Sequence, residues 1–171
     1  LISEILRQID AIAYQDPETG KIIYSLIRND YDLETIPYFD EDDILSITSF
    51  SRSGWDEVVA QVKVTYPQRE KESDAVAISQ DMATVSMIGR LRSTTVSMPF
   101  CYDKNNANRI ASRERSQLSV PLFNMTIEFN RNANGLRPGA VFKMSWPEYN
   151  FVNLVMRVQT FDLGSLLEGK I

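Results

Sequence analysis

The sequence predicts an α+β fold, with an antiparallel or mixed β-sheet and two amphipathic helices at about residues 1–14 and 105–118. Apolar residues recur with helical spacing in those two segments. Apolar and polar residues alternate elsewhere, most regularly in the C-terminal third, as in half-buried strands. An apolar content of 43% and a charged content of 24% are typical of a folded globular chain, so we expect a packed core.

The helix predicted at residues 1–14 opens the chain. Its apolar side chains follow the i, i+3, i+4, i+7 spacing of a helix with one buried face: Ile2, Ile5, Leu6, Ile9, Ile12 and Ala13. A turn is predicted at residues 16–20, because Pro17 and Gly20 end a helix and reverse the chain. Residues 21–28 predict a strand, since β-branched and aromatic residues dominate them.

The middle of the chain is predicted to contain two further strands. The polar, acidic residues 29–43 predict a connecting loop, and residues 44–50 a strand. Residues 55–66 alternate apolar and polar side chains and predict a half-buried strand. Residues 68–74 fit a charged linker or hairpin tip. Residues 75–89 fit a helix in their spacing and a strand in their β-branched content, and both alternatives stay open.

The second predicted helix lies at residues 105–118, after an extended segment at residues 91–98. Asp103 or Asn105 could cap its first turn. Its apolar face consists of Ala107, Ile110, Ala111 and Leu118. Its arginines lie mostly elsewhere and are interpreted as solvent-exposed: Arg109, Arg113 and Arg115.

The C-terminal third predicts three consecutive strands that form an antiparallel meander with one face on a core. They alternate apolar and polar residues at 123–130, 142–146 and 152–159. Bends containing Asn, Pro and Gly, at residues 132–135 and 137–139, separate the first two strands.

The length of 171 residues suits one domain or two small lobes. We predict a single domain over residues 1–171, and a division into sub-lobes at 1–66 and 75–171 stays open. The missing initiator methionine and the abrupt end at residues 169–171 are interpreted as those of a piece cut from a longer protein. No stretch approaches the roughly 20 apolar residues that a membrane-spanning helix needs, so none is predicted.

The absence of histidine narrows the possible chemistry most. It excludes Ser-His-Asp and Cys-His catalysis and histidine-bearing zinc sites. The one cysteine, Cys101, excludes an internal disulfide and is interpreted as a small buried hydrophobe in a reducing cytoplasm. A net charge of −5 argues against general nucleic-acid binding. We therefore predict no catalytic residue, no cofactor and no metal.

The acidic run at residues 40–43 lacks the ligand spacing of a calcium loop and is interpreted as a solvated loop. Two alternative functions stay open. A pair of carboxylates could act on cell-wall glycans, as in glycoside hydrolases. Exposed aromatic residues could bind carbohydrate or a receptor. The possible interface residues are Trp146, Tyr149 and Phe151, at a predicted loop tip where aromatic rings either pack back or contact another chain.

An ordered succession of short motifs runs along nearly the whole chain. The motifs are ILRQIDA (5–11), LIRNDYD (26–32), FSRSGWDE (50–57), VKVTY (62–66), ANRIASRERSQLSVPL (107–122), LRPGAVFKMSWPEYN (136–150), VMRV (155–158) and LGSLLEGKI (163–171). In this order they resemble the hub region of phage tail-tip proteins, the group that includes the lambda-type tip attachment protein and the hub proteins of gene transfer agents.

This resemblance implies a structural protein at the tip of the phage tail, around the channel through which the genome leaves. It implies a homotrimer that contacts the distal tail ring and the tape-measure protein and carries fibre segments further along the same chain. Assembly in the cytoplasm of the bacterial host and a final location in the virion follow from the same resemblance. It assigns no catalytic residue to this region.

Overall fold

The computed structural model of the protein describes residues 2–69, 73–164, 167 and 169–171. Within them, the α-helices are α1 (Ile2–Ile9), α2 (Met82–Ile88) and α3 (Lys104–Leu118). The strands are β1 (Ala11–Gln15), β2 (Ile22–Leu26), β3 (Tyr38–Phe39), β4 (Ile44–Arg52), β5 (Gln61–Pro67), β6 (Asp74–Gln80), β7 (Ser93–Ser97), β8 (Phe123–Phe129), β9 (Val141–Trp146) and β10 (Phe151–Arg157). The predicted α+β class is confirmed.

The chain divides into two compact units, each built from separate segments. The first unit contains Leu1–Ile9 and Ser51–Asn124, and the second contains Asp10–Phe50 and Met125–Ile171. Residues 51–124 lie in the sequence between the two parts of the second unit.

The core of the first unit lies between a three-stranded sheet and α3. The strand order is β6-β5-β7, with β5 antiparallel to β6 and parallel to β7. The strand predicted over residues 55–66 is confirmed from Gln61 onward, whereas residues 55–60 form a turn and an irregular segment. The alternating apolar side chains are buried: Val58, Ala60, Val62, Val64 and Tyr66. Helix α3 covers this face with Ala107, Ile110 and Ala111. Burying such side chains stabilises the unit by about 1.5–3 kcal/mol for each large one.

Helix α3 confirms the prediction of a helix at about residues 105–118. Asp103 precedes it in extended conformation, and its carboxylate accepts a hydrogen bond from the backbone N–H of Asn106 at 2.9 Å. Of the two capping candidates, Asp103 is therefore the cap. Ala107 and Ala111 are fully buried, so their small side chains let the helix approach the sheet closely.

Residues 75–89 form a strand followed by a helix, which explains why the sequence fitted both. The strand β6 ends at Gln80 and Asp81 begins α2, accepting hydrogen bonds from the backbone N–H of Ala83 and from the hydroxyl of Thr84. Gly89 ends the helix in the left-handed conformation, with φ +69°. The hydrophobic period changes from strand to helix within the segment.

The predicted helix at residues 1–14 is wrong beyond residue 9. Asp10 takes a left-handed conformation, with φ +58°, and ends α1. Residues 11–15 form β1, which pairs antiparallel with β2 from Ala11 opposite Leu26 to Gln15 opposite Ile22. The turn predicted at residues 16–20 brings these strands together, and the pairing that it permits prevails over the helical spacing.

The apolar stripe of α1 is exposed, although the sequence predicted that it would be buried. Its isoleucines are 44–63% exposed: Ile2, Ile5 and Ile9. Polar contacts hold the helix instead, since the Arg113 guanidinium donates to the carbonyls of Arg7 and Gln8 at 3.2 and 3.4 Å. The interpretation of Arg113 as a solvent-facing residue is therefore wrong.

The predicted meander of three C-terminal strands is confirmed for its second and third strands, β9 and β10, and is wrong for the first, β8. Strand β8 pairs with β4, while β9 pairs antiparallel with β10 and parallel with β3. A 3-10 helix at Arg131–Gly135 and a turn at residues 137–140 separate β8 from β9, so these two strands do not form a hairpin. The loop predicted at residues 29–43 contains β3, which is too short for a sequence pattern to show.

Strand β10 does not keep the alternation predicted for residues 152–159. Its register with β9 shifts between Phe151 and Leu154, and Asn153 takes a left-handed conformation with φ +51°. This bulge turns Val152 outward, where it is 72% exposed. A bulge re-aims side chains in this way without ending the strand.

The core of the second unit is built around three phenylalanines. The ring centroids of Phe39, Phe129 and Phe142 lie 5.1–5.8 Å from one another in tilted or edge-to-face arrangements. Met144 is fully buried in the same cluster. Tilted and edge-to-face aromatic pairs of this kind stabilise a core beyond the area that they bury.

The turn before β9 supports the β1–β2 hairpin. Gly139 has φ +89°, and a Cβ at this position would lie 3.3 Å from Ile12 Cδ1. The Ala140 N–H closes the turn on the carbonyl of Arg137 at 2.9 Å. The Arg137 guanidinium also pairs with Glu18 at 2.8 Å, at the tip of the hairpin.

Two predicted features lie partly outside the described residues. They are the hairpin tip at residues 68–74, of which 70–72 are not described, and the motif at 163–171, of which 165, 166 and 168 are not described. None of the helices in the described ranges is long and apolar enough to cross a lipid bilayer.

Candidate functional site

The aromatic surface of the second unit consists of four side chains around the turn between β9 and β10: Phe50, Trp146, Tyr149 and Phe151. The Trp146 and Tyr149 ring centroids are 5.0 Å apart, edge to face. The Tyr149 and Phe151 rings stack at 6.1 Å with an interplanar angle of 20°. Phe50 reaches Phe151 from β4, with centroids 6.4 Å apart.

The backbone fixes the position of this surface. Pro147 begins a 3-10 turn directly after Trp146, and the Asn150 N–H closes that turn on the Pro147 carbonyl at 3.0 Å. Asn150 itself is left-handed, with φ +55°, and directs the chain into β10. The Ser145 hydroxyl accepts a hydrogen bond from the Asn153 N–H at 2.9 Å. The rings are thus presented on an ordered turn.

The aromatic side chains differ in how far they are buried. Trp146 and Phe151 are half-buried and pack against the core of the second unit. Tyr149 is 52% exposed and so is Phe50. The structure brings together the three residues predicted from the sequence, and it adds Phe50. No local pattern in the sequence distinguishes Phe50, because its partner Phe151 is distant along the chain.

The acidic run at residues 40–43 is organised by side-chain amides. The Asp43 carboxylate accepts hydrogen bonds from the amides of Asn132 and Asn130, at 2.6 and 3.0 Å. Asp40 accepts one from the Asp42 N–H at 3.1 Å. Within the described ranges, no three acidic or cysteine side chains converge as metal ligands would. The arrangement pins this loop to the 3-10 helix at Arg131–Gly135.

The same hydrogen bonds make stability depend on pH. Donation by Asn132, and then by Asn130, lowers the pKa of the Asp43 carboxyl below its ordinary value. Similar bonds lower the pKa of three other carboxyls: Asp16 through Thr19, Asp81 through Thr84 and Glu128 through Lys170. A pKa that is lower in the folded state than in the unfolded state gives stability above the unfolded pKa of about 4. That stability is lost as the pH falls through the folded pKa.

We therefore expect the free energy of unfolding to fall as the pH is lowered from about 5 to about 2. Urea unfolding at a series of pH values measures this dependence. Asn132→Ala is the matched variant, because it removes the largest cause of the Asp43 shift and leaves the carboxylate in place. The variant should show a shallower pH dependence than the wild type. Equal slopes for the two proteins would contradict this account of Asp43.

Cys101 is 1% exposed, as predicted for a small buried hydrophobe. Burial raises the pKa of its thiol, and the Sγ–H donates weakly to the carbonyl of Asp103 at 3.5 Å. A raised pKa keeps the thiol protonated near neutral pH, which makes it a poor nucleophile.

The fold of the chain is similar to that of solved virion and tail proteins. The chain superimposes on a protein of the virion of a native gene transfer agent particle with a TM-score of 0.73, at 11% identity, over 99% of this chain and 36% of that one. It also superimposes on a tail protein from Neisseria meningitidis MC58 with a TM-score of 0.55, at 12% identity, over 90% of this chain and 46% of that one. The chain thus spans less than half the length of either protein.

The sequence itself identifies the family. The model of the family described as "Putative phage tail protein" matches residues 1–159. The chain belongs to this family of phage tail proteins, in agreement with the resemblance seen in its motifs. No curated protein matches the sequence.

Proposed function

We propose that this protein is a structural, non-enzymatic component of the tail tip, in the hub at the distal end of the tail tube. There it serves assembly, attachment to the host and exit of the genome. Membership of the phage tail family supports a role in the virion. The observation that carries the proposal is the aromatic surface, where an ordered turn holds Tyr149 half-exposed beside two partly buried rings.

An aromatic side chain in this position suits contact with another protein chain. Tyrosine and tryptophan contribute much of the energy of protein interfaces, since they bury a large area and lose little conformational entropy. The stacking of Tyr149 on Phe151 and its contact with Trp146 restrict its motion before any partner binds. This preorganisation lowers the entropic cost of association.

The partners in this proposal are other tail proteins: the distal tail ring, the tape-measure protein and fibre segments. In its full-length form the protein is a homotrimer, assembled in the cytoplasm of the bacterial host and retained at the tail tip of the virion. We take the 171 residues as one part of that longer protein, because they span only 36% and 46% of the two similar chains. The proposal includes no specific binding of nucleic acid, which the net charge of −5 supports.

The replacement Tyr149→Ala in the full-length protein tests the aromatic surface. We expect the wild type to have the mass of a trimer in light scattering, and the variant to dissociate at about 30-fold higher concentration. Tyr38→Ala is the matched control, since Tyr38 is a tyrosine of the same unit with a similar exposure of 50%. A trimer that is equally stable in both variants would show that the aromatic surface is not a subunit contact. A monomeric wild type would contradict the proposed hub assembly.

A carbohydrate- or receptor-binding domain is the second candidate, and the stacked, half-exposed Tyr149 ring supports it. Sugars bind to such aromatic platforms. Saturable binding of the wild-type protein to host-envelope glycans, lost in Tyr149→Ala, would favour this function over a purely structural contact. Release of soluble products from purified peptidoglycan would contradict the non-enzymatic proposal and favour a carboxylate-pair hydrolase.

A further inference from the structure

A shallow cavity lies on the first unit. It has a volume of about 170 Å³ and is lined by Trp55, Thr84, Met87 and Ile88. Trp55 and Met87 are 52% and 68% exposed. Large apolar side chains that stay this accessible around a concave site are typical of protein-binding surfaces.

The walls of the cavity are held in place by the ends of α2. Thr84 is 7% exposed, and its hydroxyl donates to the capping carboxylate of Asp81 at 2.8 Å. Arg115 forms an ion pair with the same carboxylate at 3.4 Å. The helix that carries Met87 and Ile88 is therefore anchored at its first turn, and Gly89 ends it directly after Ile88.

Two arginines form a basic rim beside Trp55. The guanidinium groups of Arg90 and Arg92 both donate to the backbone carbonyl of Asp56, that of Arg90 at 3.0 Å. A carbonyl carries no net charge, and among the described residues neither arginine has an ion-pair partner. The carboxylate of Asp56 folds against Gly54. The rim thus presents two positive charges next to an apolar cavity.

The two units carry opposite net charges. The first unit contains eleven Lys and Arg residues and nine Asp and Glu residues, a net charge of +2. The second contains seven basic and fourteen acidic residues, a net charge of −7. Seven of these acidic residues lie at positions 30–43, which contain no basic residue. A charge difference of this kind favours contact between the first unit of one copy and the second unit of another.

One apolar side chain in the acidic stretch has the chemistry that fits the cavity. Leu33 is 53% exposed at the tip of a turn and lies between Asp32 and Glu34. The carbonyl of Asp32 accepts hydrogen bonds from the N–H groups of Thr35 and Ile36 at 3.1 and 3.2 Å. The Asp32 carboxylate accepts a further hydrogen bond from the Glu34 N–H at 3.0 Å. The turn is closed by its own hydrogen bonds, so it presents Leu33 in a fixed conformation.

We infer that the cavity of the first unit binds the Leu33 turn of a second copy of this protein. Leu33 enters between Trp55 and Met87, and the flanking carboxylates of Asp32 and Glu34 face the basic rim. The inference deepens the proposed assembly and rests on it. Because the cavity and the turn are different surfaces, the contact is heterologous, and a rotation of 120° between successive copies would close it into a trimer.

Cross-linking between two variants of the full-length protein, each with one introduced cysteine, tests this contact directly. One variant carries Leu33→Cys and the other Met87→Cys, and the native Cys101 contributes little background because it is buried. Mixed and treated with a short bis-maleimide, the two should form a cross-linked heterodimer. Val152→Cys, which is also highly exposed in the second unit, replaces Leu33→Cys as the matched control. Equal yields with the control would overturn the inference.

A charge exchange provides an independent second test. Arg90→Glu and Glu34→Arg should each weaken self-association about tenfold, and a mixture of the two should recover part of the loss, because one of its contacts pairs the reversed charges. If the mixture recovers no self-association and Leu33→Cys gives no cross-link, the inference is overturned. A wild type that is still trimeric in that case leaves the proposed function intact. A cross-link from Met87→Cys to a different tail protein alone would assign the cavity to that protein and overturn the self-contact. A wild type that is monomeric contradicts the proposed assembly itself.

Discussion

Replacing Phe142 with alanine is expected to lower the free energy of unfolding by about 3–5 kcal/mol. Phe142 is 4% exposed and contacts both Phe39 and Phe129, with centroid distances of 5.8 Å to each. The substitution removes the buried ring and leaves a cavity. Filling that cavity would require β3, β8 and β9 to move together. Loss of the two edge-to-face contacts adds to the cost.

Urea unfolding followed by tryptophan fluorescence measures this change, since Trp146 packs against the same core. Val152→Ala is the control, because that side chain is 72% exposed in the same unit, and its unfolding free energy should change by no more than about 0.5 kcal/mol. A loss below about 1 kcal/mol for Phe142→Ala would mean that the three rings do not form the core of the second unit.

The second large effect is expected for Arg113→Ala, which should lower the free energy of unfolding by about 1.5–3 kcal/mol. The guanidinium of Arg113 donates to the carbonyls of Arg7 and Gln8, in the last turn of α1. Those carbonyls have no partner within the helix, and a cation at a helix C-terminus also interacts favourably with the helix dipole. Since the isoleucines of α1 are exposed, little apolar packing would hold the helix once these bonds are lost.

Hydrogen exchange distinguishes this effect from general destabilisation. In Arg113→Ala, the amides of α1 should exchange much faster, while those of β9 should keep their protection. Arg109→Ala is the matched control on the same helix, because Arg109 is exposed, and α1 should remain protected in it. Unchanged exchange of α1 in the Arg113 variant would show that other contacts fix this helix.

The sequence predicts correctly those elements in which the spacing of apolar residues matches the face that is buried in the folded protein. Strand β5 alternates regularly because one of its faces is covered by α3. Helix α3 has a capping aspartate and buries three of its four predicted apolar residues, while Leu118 is 38% exposed. The interface candidates Trp146, Tyr149 and Phe151 were also predicted together, because Pro147 and Asn150 mark the turn that joins them.

The errors in the predicted helix and strands come from pairing with other segments of the chain. Residues 11–15 have helical spacing, yet pairing with β2 makes them a strand. Strand β8 alternates as a strand of a meander would, but its partner in the sheet is β4. The two strands are far apart in the sequence: the Ser49 hydroxyl of β4 donates a hydrogen bond to that of Thr126 in β8, 77 residues later. Local spacing describes which side chains share a face, and it does not identify the strand that lies alongside.

The aromatic surface and the cavity of the first unit share one physical basis for a structural role. Each combines half-exposed aromatic or apolar side chains with a backbone that hydrogen bonds hold in one conformation: the 3-10 turn at Pro147–Tyr149 and the capped helix Met82–Ile88. We expect surfaces of this kind to bind a partner without rearrangement.

Localisation in intact particles tests the tail-tip proposal most directly. Gold-labelled antibodies raised against the 171-residue chain, applied to purified particles that carry the full-length protein, should bind at the distal end of the tail. Particles from a strain lacking the gene serve as the control and should show no label. Label along the tail tube or on the head would contradict the proposed position. So would the absence of label from particles in which mass spectrometry detects the protein.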